Sequence, residues 1–325
     1  MVCDRLVGRA VRLKIVIAGG TGQLGSMLAR TRHGAGDEVV VFSRAPSAAP
    51  WRVVAWDGRS SGPWEAELDG ADVVVNLAGR SVNCRYTPAN RAAILESRVD
   101  ATRALGAAIA RAARPPRVWL QSSTATIYAH RFDADNDEDG IIGGGPDAPD
   151  TWRFSVDVAT AWERAAQEAQ VPQTRLVLLR SAMVMSADRG GVFDTMLTLV
   201  RRGLGGPAGS GRQYVSWIHG HDWLAALDLL VADDAIRGAV NLAAPQPLPY
   251  AAFMRALRAA WGIPIGLPAP GPLLEFGALL MGTETELVLK SRRVVPKRLL
   301  AHGFHFDFPE WPAAARDLCA QVRAR

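Results

Sequence analysis

Residues 13–30, LKIVIAGGTGQLGSMLAR, decide how the rest of the chain is read. The run 13–18 is almost wholly apolar, as a strand buried on both faces must be. Gly19, Gly22 and Gly25 follow at GxxGxxG spacing, and a helix is predicted from about 22 to 32. In a strand–turn–helix the three glycines serve different ends. The first allows the turn, the second lets backbone approach a pyrophosphate, and the third lets helix pack on strand. The pyrophosphate would rest on the helix N-terminal amides, those of Gln23, Leu24 and Gly25, where unpaired N–H groups and the dipole favour an anion. A triphosphate P-loop is excluded, because Ser26 stands where that motif requires Lys.

Working outward, DEVVVFSR (37–44) and WRVVAWD (51–57) read as the next strands, ADVVVNLAG (71–79) as a fourth, RVWLQSS (117–123) as a fifth and TRLVLLR (174–180) as a sixth. Helices are predicted from about 88 to 113 and from about 151, the latter with Phe154, Val158 and Trp162 as an apolar stripe. Alternating strands and helices predict an α/β fold, a doubly wound parallel sheet of Rossmann type over 13–180. Beyond 181 glycine and proline thicken at 203–211 and 262–272, and helical stretches dominate. This predicts a smaller, mostly helical substrate lobe over 181–325, with the chain crossing back to the sheet near 213–242. The acidic stretch 133–150 is expected to be an exposed loop.

The second strand bears on the cofactor. NAD sites usually end this strand in Asp or Glu, whereas NADP needs a cation for its 2′-phosphate. Here it ends in Ser43 and Arg44, which favours NADP; the alternative is that Arg44 is a solvated surface arginine. Asp57, after the third strand, is a candidate for the adenine amino group or a plain turn residue.

Composition narrows the class. Apolar residues make up 49 % and charged residues 21 %, and no stretch reaches the roughly 20 apolar residues of a membrane span. The first twelve residues lack the apolar region of a secretory signal, so a cytoplasmic location is expected. Cys3, Cys84 and Cys319 suit neither a disulfide framework nor a zinc cluster. Of 37 basic residues only Lys14, Lys290 and Lys297 are lysines, leaving 34 arginines. These are scattered and not interleaved with aromatics, so nucleic acid is not the expected partner despite a net charge of +5. The expected partner is a small-molecule substrate.

GGTGQLG (19–25), NLAG (76–79), SSTATIY (122–128) and SWIHGHD (216–222) together resemble the extended short-chain dehydrogenase/reductases. NLAGRSVNCRYTPANRAAILESRVDATRAL, GLGGPAGSGRQYVSWIH and KSRRVVPKRLLAHGF narrow this to the subfamily of predicted nucleoside-diphosphate-sugar epimerases that carries a C-terminal domain of unknown function. The resemblance covers about 13–318. It implies a dinucleotide domain with Leu77, Ala78 and Gly79 beside the cofactor, plus a substrate lobe.

The superfamily's chemistry uses a tyrosine whose pKa is drawn down by a lysine four residues on, while a Ser or Thr orients the substrate oxygen. Thr124 stands at the Ser/Thr position. Four residues beyond Tyr86, Tyr128, Tyr214 and Tyr250 stand Asn90, Phe132, Ile218 and Met254, so the YxxxK pair is absent. Counted along the helix that should carry it, the Tyr position falls near Ser155 and the Lys position near Ala159. No lysine is expected to substitute, since Lys14 begins the first strand and Lys290 and Lys297 belong to the far lobe. Tyr128 is a candidate to face the substrate or to close the pocket wall. His219 is a candidate general acid or a structural hydrogen-bonding residue. A metal is not expected, because His219 and His221 show no third ligand. Two functions stay open: an NADP(H)-dependent oxidoreductase or epimerase with altered acid–base residues, acting on a small polar or sugar-nucleotide-like substrate, or a non-enzymatic NADP(H)-binding sensor.

Overall fold

The computed structural model describes residues 12–144, 148–270 and 284–325, without the side chain of residue 287. Its strands, in chain order, are β1 (Lys14–Ala18), β2 (Glu38–Ser43), β3 (Arg52–Ala55), β4 (Val73–Asn76), β5 (Val118–Thr124), β6 (Arg175–Ser181), β7 (Met183–Met185), β8 (Tyr214–Val215), β9 (Trp217–His219), β10 (Gly238–Leu242) and β11 (Leu248–Pro249). Seven of them form one sheet in the order β10-β6-β5-β4-β1-β2-β3, and every pairing within it is parallel. The edge strand β10 comes from beyond residue 180 and pairs with β6.

The helices are α1 (Gln23–Gly34), α2 (Pro88–Arg111), α3 (Asp150–Gln167), α4 (Val192–Arg201), α5 (Gly220–Ala232), α6 (Tyr250–Trp261), α7 (Glu286–Leu289), α8 (Lys297–Ala301) and α9 (Trp311–Arg323). Successive strand residues serve opposite faces. Ile15 and Ile17 join Val75, Leu120 and Leu179 beneath Leu28 of α1 and Leu227 and Leu230 of α5. Val16 joins Val40, Val74, Trp119 and Leu178 beneath Leu105 and Ile109 of α2 and Ala166 of α3. Each large side chain so buried contributes about 1.5–3 kcal/mol.

A separate core centred on Phe193, Trp217, Phe253, Trp311 and Leu318 holds α4, α6 and α9 together, with the Phe253 and Trp311 rings stacked at 3.9 Å. Among the described residues no helix is long and apolar enough to cross a membrane.

The acidic stretch expected to be an exposed loop is only partly so. Asn136 and Glu138 are buried. Asn136 N–H donates to the Arg293 carbonyl at 2.7 Å, and a Glu138 carboxylate oxygen accepts from Asn241 N–H at 3.0 Å. Residues 145–147 of that stretch lie outside the described residues. The chain around 293–295 lies against it, a long-range contact that composition could not reveal.

Candidate functional site

Strand order reverses between β1 and β4, and the crevice beyond their carboxyl ends is where such sheets bind ligands. Gly19 turns there at φ +74°, and a Cβ on it would lie 2.8 Å from the Ala78 backbone. At Gly25 a Cβ would fall 2.4 Å from the Gly20 Cα, so helix and turn touch backbone to backbone. Gly22 differs: its φ of −73° suits any residue, and a Cβ there meets only the Gly19 carbonyl oxygen, at 3.6 Å. Its bare face opens onto the N-terminus of α1, which has no side-chain cap and no acid in its first turn. An uncapped helix start with an open cradle suits a pyrophosphate. Leu24 packs against the core and the Gln23 side chain donates to Ser186 Oγ at 2.9 Å, which leaves these two residues their backbone amides for an anion.

At the end of β2 the Ser43 hydroxyl closes a small turn, donating to the Ala45 carbonyl at 3.1 Å and accepting from its N–H at 3.2 Å. Arg44 is exposed. Asp57 Oδ1 accepts from the N–H groups of Arg59 and Ser60 at 2.9 and 2.8 Å. Those backbone hydrogen bonds draw its pKa down to about 2, and the geometry is that of a turn residue. Leu77–Gly79 run directly beneath Gly19 and are held by Asn76. Its side chain accepts from Ala78 N–H at 3.0 Å and donates to Gln121 and Thr102. Sequence reading passed over Asn76; its signal was a lone amide ending an apolar strand.

At the reaction end, Thr124 closes β5 half-buried, its Oγ1 accepting from Thr126 N–H at 3.1 Å. Tyr128 is buried in the fold. It is 2 % exposed, its hydroxyl donates to Asn241 Oδ1 at 2.8 Å and accepts from Arg180 Nη1 at 2.9 Å, and burial raises its pKa. The phenol proton is committed to a network joining β6 and β10. His219 is also held by several contacts. Its Nδ1 accepts from His221 N–H at 3.1 Å, Nε2 pairs with Asp317 at 3.1 Å and the ring stacks on Phe308. Burial pushes its pKa down to about 4, so it is neutral at pH 7 and not poised as an acid. His221 pairs with Asp307 at 2.7 Å. Together with Asp222 they bring three possible ligand atoms within 4.8 Å of one another, a grouping invisible in the sequence. Both Asp222 oxygens already accept backbone N–H groups, from Asp307 and Phe308.

On α3, Ala159 is fully buried against Ala125, Ile127, Tyr128, Ala243 and Val294, and Ser155 is half-buried. One lysine of the C-terminal lobe nonetheless reaches the turn after Thr124. Lys290 Nζ donates to the Thr126 carbonyl at 2.7 Å, because the chain beyond 284 packs back against the end of β5. Lys14 and Lys297 stay away, on Asp69 and on Asp137 with Asp139.

The geometry matches what comparison with known proteins shows. The NAD dependent epimerase/dehydratase family profile matches residues 15–243, and the domain of unknown function DUF1731 matches 269–318. The Epimerase family protein SDR39U1 of Mus musculus is 34 % identical over 95 % of this chain and 100 % of its own length. The crystal structure of human epimerase family protein SDR39U1 (isoform2) with NADPH is 30 % identical, with a TM-score of 0.83 over 95 % of this chain and 99 % of that one. A nucleoside-diphosphate sugar epimerase from Corynebacterium glutamicum is 27 % identical, with a TM-score of 0.74 over 97 % of this chain and 61 % of that one. The fold is thus shared with these two solved structures, and the chain belongs to the NAD dependent epimerase/dehydratase family.

Proposed function

We propose that the protein is an NADP(H)-dependent oxidoreductase or epimerase of the extended short-chain dehydrogenase type, acting in the cytoplasm on a small polar substrate of sugar-nucleotide character. One observation carries the reading: the uncapped, open glycine turn stands beside a second strand that ends in Ser43 and exposed Arg44 where an NAD site would place a carboxylate. The NADPH in the human relative supports the choice of dinucleotide, and the Corynebacterium protein's name supports the substrate class. Such a dinucleotide, when bound, supplies the hydride acceptor or donor. The chain's own part is to hold the pyrophosphate on the amides of Gln23, Leu24 and Gly25, to pair Arg44 with the 2′-phosphate, to keep Leu77–Gly79 alongside, and to orient a substrate oxygen with the Thr124 hydroxyl.

The second reading, a non-enzymatic NADP(H) sensor, is favoured by one observation, that Ser155 and Ala159 stand where the resemblance expects Tyr and Lys. Fluorescence titration with both reduced dinucleotides tests the cofactor assignment common to both readings. NADPH should bind at least about tenfold more tightly than NADH, on the order of 1.4 kcal/mol, and Arg44→Ala should abolish the preference. Equal affinities in the unmodified protein would refute it.

A further inference from the structure

The segment from Glu284 to Val294, inside the region of unknown function, packs against the reaction end of the sheet. Glu284 accepts from Tyr86 N–H at 2.8 Å. Glu286 Oε2 accepts from Ser155 Oγ at 2.5 Å, across 131 residues of chain. Lys290, four residues on, donates to the Thr126 carbonyl, and Arg292 Nε donates to Thr126 Oγ1 at 3.1 Å. Thr126 in turn donates its N–H to Thr124 Oγ1. Glu286 and Lys290 therefore link Ser155 on α3 to the turn that follows Thr124.

Both groups are buried at a cost. Each is 1 % exposed. Glu286 Oε1 has no hydrogen-bond partner among the described residues, and it lies 3.9 Å from Lys290 Nζ. Buried carboxylates and amines are expensive unless well paired, and a structural ion pair gains little from a separation that long. Burial, with the Arg292 charge adding to it, lowers the Lys290 pKa to about 8. The other groups facing the pair are the Tyr86 phenol, raised by burial, the Arg292 guanidinium, and His130, whose Nδ1 accepts from Ser291 N–H at 2.7 Å and whose pKa burial lowers. Buried groups shifted as Lys290 is collect where protons move.

We propose that this C-terminal segment completes the reaction centre, Glu286 exchanging the substrate's hydroxyl proton through the Ser155 hydroxyl while Lys290 balances the carboxylate's charge. The inference rests on the dinucleotide reading above. In the oxidative direction, hydride leaves the substrate carbon for an oxidised nicotinamide dinucleotide, and the O–H electron pair becomes the carbonyl π-bond. The released proton goes to Ser155 Oγ as that hydroxyl's own proton passes to Glu286 Oε2, so a carboxylate becomes a carboxylic acid. Reduction runs the same transfers backwards. Ser155 is then the catalytic residue, Glu286 acts through it, and Lys290 is a positioning residue.

Two measurements on the full chain test this. The first is calorimetry at pH 8 in buffers of different ionisation enthalpy. Binding of NADP+, whose nicotinamide is cationic, should release a fraction of a proton from Lys290, and binding of NADPH should release less. Lys290→Met should abolish the difference. Glu286→Gln, which removes the charge holding the lysine protonated, should move its pH midpoint downward. The second is reduction of a small 1,2-diketone by NADPH. Glu286→Gln and Ser155→Ala should each lower kcat about 10²-fold with KM for NADPH unchanged, and Glu286→Asp should restore part of the rate with a shifted pH profile. Equal proton release for both dinucleotides, or a folded Glu286→Gln protein with the native rate and pH profile, overturns the proposal. Failure of either dinucleotide to bind the unmodified protein overturns the dinucleotide reading instead.

Discussion

The Arg180 guanidinium forks onto the Glu163 carboxylate, Nε on Oε1 and Nη2 on Oε2, both at 2.8 Å. The same carboxylate accepts from Ser123 Oγ at 2.6 Å, while Arg180 also reaches the Tyr128 hydroxyl. One ion pair therefore ties α3 to β5, β6 and the turn after Thr124. It is buried on both sides, so removing one partner strands a charge. Glu163→Ala should cost about 3–5 kcal/mol in urea unfolding. Replacing both partners by leucine should cost clearly less, and a double variant as unstable as the single one would show that the pair is not what carries the cost.

Gly22 and Gly25 should respond in opposite ways. A side chain at Gly25 collides with the Gly20 backbone, so Gly25→Val should lower the melting temperature by several degrees, as expected for overpacking of about 1–3 kcal/mol. Gly22→Val meets no such obstacle and should leave circular dichroism unchanged while abolishing NADPH binding. A folded Gly22→Val protein that binds NADPH normally would mean the pyrophosphate lies elsewhere.

His219 makes the fold acid-sensitive. Its native pKa of about 4 lies below the ordinary 6.5, so between these values the unfolded chain binds more protons than the native one. Stability from this group is full above pH 6.5 and is lost as pH falls towards 4, at up to about 1.4 kcal/mol per unit. His219→Asn keeps an acceptor for the His221 N–H and cannot titrate. Its unfolding free energy should fall less steeply than the parent's across that window, and parallel curves would contradict the assignment.

Lys290 acts at the alkaline end. Its native pKa of about 8 lies below the ordinary 10.5, so from pH 8 to 10.5 the unfolded lysine holds a proton that the native one has lost. Stability of the parent relative to Lys290→Met should therefore rise through this range, by up to about 1.4 kcal/mol per unit. Below pH 7 the difference should be flat. Chemical denaturation at pH 7, 8, 9 and 10 measures it directly.

Local spacing determined the part of this protein that lies within one turn or one element. The GxxGxxG turn, the apolar strands and the stripe on α3 follow from periods of two and of 3.6 and from the room that glycine leaves. So do the alternation of strand and helix and the place of Thr124 at the end of its strand, both of which are local patterns. Tertiary structure alone decided what Tyr128 and His219 do, because their partners Asn241, Arg180 and Asp317 arrive from other elements and no pattern near residue 128 or 219 announces them. It also decided that Glu286 and Lys290, which composition assigns to a distant lobe, stand against Ser155 and Thr126. A hydrophobic period records which face of an element is buried, not which remote side chain shares that burial, and the chemistry of a buried charge is set by the latter.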